Sequence, residues 1–192
     1  DLFSPLPIDG IAIHGRTVKE RYQSPVHTEP IAHAVKSLPY PVTANGNIVS
    51  VATAKAMHEQ TGAAGLMIGR GGIRNPWLFQ QTRDSLSGKQ IKRPTLADLG
   101  SYIEELKEEI AQLGEFENDT QLVHRMKKFT NYITSGIHEG VFNDELRRAQ
   151  SLDQFDQICH EHLNDSSLLA QEPHDDGTLF CGFGELIQSD PS

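Results

Sequence analysis

Residues 61–79 read TGAAGLMIGRGGIRNPWLF. Gly65-Leu-Met-Ile-Gly69 is a short apolar run bounded by glycines, the pattern of a buried strand. Gly69-Arg70-Gly71-Gly72 follows without a gap. Asn75-Pro-Trp-Leu-Phe79 then predicts a helix start, with Asn75 as cap and Pro76 at the first position, where its missing N–H removes no hydrogen bond. Working backward, Pro41-Val-Thr-Ala-Asn45 is a second strand-like run and Ile8 to His14 a third. Between them, residues 29–37 predict a short helix. Residues 50–61 predict another, with Ser50 as N-cap and Val51, Ala54, Met57 and His58 at helical spacing. The order β-α-β-α-β-α implies parallel strands joined by helical crossovers.

Working forward, residues 84–95 are polar, contain Gly88 and Pro94, and read as a linker. Residues 96–113 place Leu99, Ile103, Leu106, Ile110 and Leu113 at steps of three and four. Residues 120–136 do the same with Leu122, Met126, Phe129 and Ile133. Two shorter helices are predicted over 143–149 and 151–163, the second capped by Ser151 with Gln154 at the capping-box position. The fold class is thus α/β over residues 1–83, then a small all-α bundle over 96–165. Residues 166–192 lack periodicity and predict a flexible tail.

The chain has 192 residues, 37% hydrophobic, with a net charge of −9. No apolar run approaches the roughly 20 residues of a membrane helix, and no secretory leader pattern is present. Residue 1 is Asp, so the chain is expected to be part of a longer protein. Cys159 and Cys181 form no CxxC pair, which predicts neither a disulfide framework nor a metal site and makes a reduced, cytoplasmic setting the default. The acidic balance argues against nucleic-acid binding by the chain as a whole. Local cations remain: Arg125, Lys127 and Lys128 on one helix, and Arg147 and Arg148 on another. The run Glu104, Glu105, Glu108 and Glu109 reads as a solvated face. His27, His33 and His58 read as surface or packing residues, and Trp77 and Phe79 as core anchors between the two parts.

The chemistry-bearing residues gather at three strand ends: His14-Gly15-Arg16-Thr17, Asn45-Gly46-Asn47 and Gly69-Arg70-Gly71-Gly72. Asn45 and Gly69 are 24 residues apart, about one βα unit. In a parallel α/β barrel the C-terminal strand ends carry the site, and phosphate rests on the loops after the last strands. Glycine lets the backbone approach the anion, clustered N–H groups bind it, and Arg70 adds a charge-assisted hydrogen bond.

The stretches IAIHGRTVKERYQSPV, PVTANGNIVS, TGAAGLMIGRGGIRNPWLF, MKKFTNYI and ELRRAQSLDQF, in this order over about residues 8–160, resemble the C-terminal half of the tRNA-dihydrouridine synthase family. The resemblance implies the C-terminal part of an FMN-binding TIM (β/α)8 barrel followed by a helical domain that helps hold tRNA. It assigns Asn45, Gly46, Asn47, Gly69 and Arg70 to the FMN phosphate and ribityl region and His14 to the flavin. Arg16 would meet the flavin or the target uridine, and Arg125, Lys127 and Lys128 the tRNA backbone. The family reduces the uracil C5–C6 double bond with FMN and NADPH, using a cysteine acid. That cysteine belongs to earlier strands, so neither Cys159 nor Cys181 is cast in the role, and no catalytic residue is visible. The full-length protein is expected to be a monomer, and from the residues themselves no membrane partner and no metal site are expected. Two other readings stay open: an FMN-dependent TIM-barrel oxidoreductase acting on a small molecule, and a non-catalytic RNA-binding fragment.

Overall fold

The elements follow in the order β1 (Ile11–His14), α1 (Glu29–Ser37), β2 (Val42–Asn45), α2 (Val51–Thr61), β3 (Gly65–Met67), α3 (Arg70–Arg74), α4 (Leu78–Leu86), α5 (Leu96–Leu113), α6 (Asp119–Ile133), α7 (Val141–Arg148), α8 (Leu152–Leu163) and α9 (Gly184–Gln188). A 3-10 turn, His138–Gly140, precedes α7. This computed structural model describes residues 3–20, 24–175 and 179–188. The chain divides into two compact units, Asp1–Ile91 with His174–Ser192, and Lys92–Pro173.

In the first unit the three strands pair in parallel in the order β1-β2-β3. His14 lies opposite Asn45, and Asn45 opposite Met67. Strand side chains alternate between faces. Val42 and Ala44 therefore point together into a core formed with Ile31 of α1, Ala54 and Met57 of α2, Ile48 and Ala63. Burying a side chain the size of Met57 contributes about 1.5–3 kcal/mol, so this layer fixes which face of the sheet the helices cover. His14 and Asn45 alternate onto the other face.

The β2–α2 connection explains the Asn-Gly-Asn sequence. Gly46 has φ of 142° and Asn47 φ of 50°. Asn tolerates the left-handed region better than most residues, and glycine is the residue for φ so far positive. The chain can then turn sharply before α2, where Ser50 is the N-cap expected from sequence. Ser50 Oγ accepts from the Thr53 N–H, and Thr53 Oγ1 accepts from the Ser50 N–H, closing a capping box.

Past β3 the structure departs from the sequence reading. The glycine-rich stretch is a short helix, α3, and the next helix begins at Leu78 rather than Pro76. Asn75 keeps a capping function from the gap between them. Its Oδ1 accepts from the Trp77 N–H at 3.2 Å, and its Nδ2 donates to Gln81 Oε1 at 2.8 Å. The anchor of α4 is Leu78, which is wholly buried, while Phe79 is exposed.

The second unit holds α5 to α8. Its core includes Leu99, Ile103, Val123, Met126, Ile133, Phe142, Leu146 and Phe155. The periodic pattern of α5 runs further than its burial, since Leu113 is 85% exposed. Thr95 and Asp98 form a capping box at α5. Ser151 caps α8 through the Gln154 N–H as expected. The Gln154 side chain, however, accepts from the Gln150 N–H rather than that of Ser151, so the box is displaced by one residue. Backbone bonds from Leu96 to Ser167 and from Leu169 to Pro94 draw the two ends of this unit together. Among the described residues no helix is long and apolar enough to cross a membrane.

Residues 166–192, expected to form a flexible tail, differ most from that reading where they are described. Leu169 is buried in the second unit. Phe180, Phe183 and Leu186 are buried in the first, and α9 packs against α2. The reason is a spacing of three between those apolar residues, too short a run to show as periodicity. Residues 176–178 and 189–192 of the expected tail lie outside the described residues.

The approach of α3 to the β2–α2 connection gives a test. A Cβ on Gly71 would lie 2.4 Å from the Ile48 carbonyl oxygen and 2.8 Å from Val49 Cα, whereas one on Gly69 would meet nothing within 4 Å. Gly71→Ala is expected to lower unfolding stability by about 2 kcal/mol or more, and Gly69→Ala to change it by less than about 0.5 kcal/mol, both read from urea midpoints. Equal midpoints for the two variants would contradict this packing.

Candidate functional site

Parallel pairing brings the three glycine-containing strand ends to one edge of the first unit. The β1 end is closed on itself. Gly15 N–H donates to the Asn45 carbonyl at 2.9 Å, and His27 N–H donates back to the Gly15 carbonyl at 2.8 Å. Val26 fits against Gly15 and Gly46, where a Cβ would come within 2.4 and 2.9 Å of its side chain. Glu20 accepts from the Thr17 N–H and hydroxyl, both at 2.7 Å, and pairs with His27 Nε2 at 2.6 Å. The two Thr17 hydrogen bonds, with that of His27, hold the Glu20 carboxyl at a pKa of about 2.

This closed loop carries Arg16 inward. Arg16 is only 8% exposed. Its Nε donates to the Ser24 carbonyl and its Nη1 to Asn47 Oδ1 at 3.1 Å. Its Nη2 is buried with no hydrogen-bond partner among the described residues. Burial, and to a smaller extent the neighbouring Arg70, lower the Arg16 pKa, opposed by Cys181, Glu185 and Glu20 nearby. A guanidinium so placed remains charged, and its orphaned donor points to an acceptor not supplied by the described residues.

Asn47 joins the parts. While its Oδ1 accepts from Arg16, its Nδ2 donates to the carbonyls of Cys181 and Gly182 at 3.2 and 2.9 Å. Asn45 Nδ2 donates to the Met67 carbonyl at 2.7 Å and so locks the end of β2 to that of β3. Arg70 donates to the Leu179 carbonyl, and its Cζ lies 5.8 Å from the centre of the Phe180 ring. The space beside Gly69 is open.

His14 stands at the exposed end of β1. The Arg16 N–H donates to His14 Nδ1 at 3.0 Å, which requires Nδ1 to be unprotonated and puts the ring proton of the neutral form on Nε2. Desolvation, then the charges of Arg16 and Arg70, lower the His14 pKa below 6.5. The site therefore offers a neutral imidazole N–H donor beside two guanidinium groups, a set of donors suited to an anion carrying a polar ring.

His14, Arg16, Asn45, Gly46, Asn47, Gly69 and Arg70 thus all lie in the first unit at these strand ends. Arg125, Lys127 and Lys128 lie on α6 of the second. Arg125 and Lys128 are exposed, with Arg125 5.6 Å from the Phe129 ring centre. Lys127 is engaged. Its ammonium donates to the carbonyls of Arg147 and Ala149 at the C-terminal end of α7, where a cation offsets the helix dipole. Sequence reading missed two features. One is the meeting of Leu179 to Gly182 with the site, which no local pattern announces. The other is Arg74, a wholly buried side chain, which follows the glycines at the end of α3. Among the described residues no cluster of His, Cys, Asp or Glu could hold a metal ion.

Comparison with known proteins gives a consistent result. The family model described as dihydrouridine synthase (Dus) matches residues 8–168. A probable tRNA-dihydrouridine synthase of Helicobacter pylori is 29% identical over 168 residues, covering 87% of this chain and 49% of that protein. The tRNA-dihydrouridine synthase B of Pseudomonas putida is 32% identical over 126 residues, 65% of this chain and 36% of that protein. A probable tRNA-dihydrouridine synthase of Rhodobacter capsulatus is 37% identical over 101 residues, 52% of this chain and 31% of that protein. The chain spans at most about half the length of these curated relatives.

The His14 environment is open to measurement. With a folded-state pKa below the ordinary 6.5, the unfolded chain binds more protons than the folded one between those two values. This group then makes stability rise with pH through that window and level off above it. NMR titration is expected to show His14 titrating below 6.5 with the Nε2–H tautomer. An elevated value or the Nδ1–H tautomer would contradict the Arg16 contact.

Proposed function

The chain belongs to the dihydrouridine synthase family, and from that premise we propose that it supplies the flavin-phosphate end and RNA-facing helices of a tRNA-dihydrouridine synthase. The observation that carries the reading is the convergence of Arg16, Asn47 and Arg70 at three parallel strand ends, with one buried guanidinium nitrogen lacking an acceptor. A phosphate supplies acceptors for such a set of donors, and the open space beside Gly69 leaves room for one.

In this reading the first unit is the C-terminal part of a TIM (β/α)8 barrel and the second a helical tRNA-binding domain. Asn47, Gly69 and Arg70 hold the FMN phosphate, and Asn45 and Gly46 line the ribityl chain. His14 offers its Nε2–H to the flavin ring, and Arg16 fixes the orientation of flavin or uridine. Bound FMN, re-reduced by NADPH, would supply the hydride that reduces the uracil C5–C6 bond. The protein's own contribution is to bind, to orient and to keep charge in place. The proton for C5 comes from a cysteine on an earlier strand. Cys159 does not suit that role, because burial and the neighbouring Asp156 push its thiol up to about 12, which makes it a weak acid at neutral pH. The uridine must leave its stack to reach the flavin, and the exposed cations Arg125 and Lys128 grip the RNA backbone. The whole protein acts as a monomer in the cytoplasm, where its substrate is.

Two measurements test the reading. Gly69→Leu is expected to keep the fold, judged by an unchanged urea midpoint, and to weaken FMN binding at least roughly tenfold, followed by quenching of flavin fluorescence. Undiminished FMN binding in that variant would remove Gly69 from the phosphate site. For tRNA, affinity is expected to fall steeply with salt, and Arg125→Ala or Lys128→Ala to reduce the slope of log K against log salt by about 1 each. No measurable tRNA binding would favour a small-molecule substrate.

A further inference from the structure

The donors assigned above to a phosphate are not idle. The Leu179 carbonyl accepts from Arg70, and the Cys181 and Gly182 carbonyls accept from Asn47. Phe180 is buried with its ring beside the Arg70 guanidinium. Gly182 adopts φ of +65°, and its Cα face is directed at the same pair: a Cβ there would lie 4.0 Å from both Arg16 Nη2 and Asn47 Nδ2. Four consecutive residues thus lie across the three side chains that define the candidate anion site. All four lie beyond residue 168, where the match to the family ends.

The segment has two mechanically distinct parts. The α9 part is an anchor. Leu186 belongs to the core formed with Ile31, Val42 and Met57, and Gln60 Nε2 donates to the Leu186 carbonyl at 2.9 Å. The part before it covers the site through three peptide carbonyls and the Phe180 ring beside Arg70. Those carbonyls are neutral, and among the described residues they leave Arg16 Nη2 without an acceptor. A buried guanidinium with an unmet donor favours any ligand that brings negative charge and further lone pairs. The cover is therefore an occupant that an anion can outbid without undoing the anchor.

We propose that residues 179–182 form an intramolecular cover over the Arg16–Asn47–Arg70 anion site, held in reach by α9, which a phosphate-bearing ligand displaces. For inorganic phosphate the inference stands on the contacts alone, and for FMN it rests on the proposed function. The cover lowers apparent affinity by the fraction of molecules in which it is seated, so the site is self-regulated by its own C-terminal segment.

Cys181 lies within the cover and reports on it. The other thiol, Cys159, is largely buried with its pKa pushed up to about 12, and peptide mapping separates the two. The full chain is alkylated with iodoacetamide under three conditions of equal ionic strength: chloride alone, with inorganic phosphate, and with FMN. Phosphate and FMN are each expected to raise the Cys181 rate roughly tenfold, in proportion to the open fraction. Gly182→Ala strains the left-handed turn. It is expected to raise the Cys181 rate without ligand and to tighten phosphate binding, each by about fivefold. Acceleration by phosphate but not by FMN would keep the cover and overturn the flavin assignment. Flavin fluorescence quenching at an unchanged Cys181 rate would overturn the cover and keep the flavin assignment. No acceleration by either ligand, or a Gly182→Ala chain identical to the unmodified one, overturns the cover.

Discussion

Everything at the candidate site depends on the parallel register of three short strands. Parallel neighbours cannot be joined by a tight turn, so each needs a helical crossover. In return, all C-terminal ends fall on the same side. Pairing His14 with Asn45 and Asn45 with Met67 puts three unrelated stretches of sequence, each beginning where its strand stops, within hydrogen-bonding reach. A slip of one residue would turn Asn45 towards the core and Ala44 away from it, because strand side chains alternate. The register is held from both faces: by Val42 and Ala44 in the apolar layer, and by the Asn45 to Met67 hydrogen bond at the rim.

Given that register, the charges follow from a short chain of dependencies. Glu20 closes the loop after β1 through Thr17 and His27. The closed loop buries Arg16. Buried, Arg16 needs acceptors, and it takes one from Ser24 and one from Asn47. Asn47 reaches it because Gly46 and Asn47 both accept positive φ. The same backbone turn leads directly into the Ser50 cap of α2. Asn-Gly-Asn is thus at once a structural turn and a pair of polar side chains that tie the strand ends together, which is why a sequence pattern that ordinarily marks only a turn enters the proposed site.

The legible parts of the sequence were those with a local physical signature. Residues 29–37 form α1 as their spacing implied, and Ser50 caps α2 because a hydroxyl before an apolar-periodic run satisfies orphan N–H groups. The strand runs at 11–14, 42–45 and 65–67 were visible for a similar reason. What stayed hidden was long-range or marginal. The glycines after β3 support the five-residue helix α3 only because Gly71 can lie against the Ile48–Val49 backbone, a tertiary contact with no local trace. The stretch after residue 178 has three apolar anchors at 180, 183 and 186, fewer than a periodicity test can use, and their burial depends on α2 and the β-strand ends. Lys127 reads as one of three cations on a single helix, and only the position of the α7 carboxyl end reveals that its charge is already engaged.

That last distinction bears on the proposed contact of an acidic chain with RNA. A net charge of −9 sets the long-range field, but exposed charges more than about 10 Å apart are largely screened at physiological salt. What remains is the count of cations both exposed and not committed within the fold. Lys107 pairs with Asp156 at 2.6 Å, and Lys127 is held by α7 carbonyls. Arg125 and Lys128 are one turn apart on α6 and exposed, a spacing that places both on one side of a helix. Few phosphate contacts of this kind give weak, salt-sensitive adhesion rather than sequence recognition. On the proposed function, selection of a particular uridine falls to the shape of the RNA and to the pocket around the reacting ring, where that proposal puts His14 and Arg16.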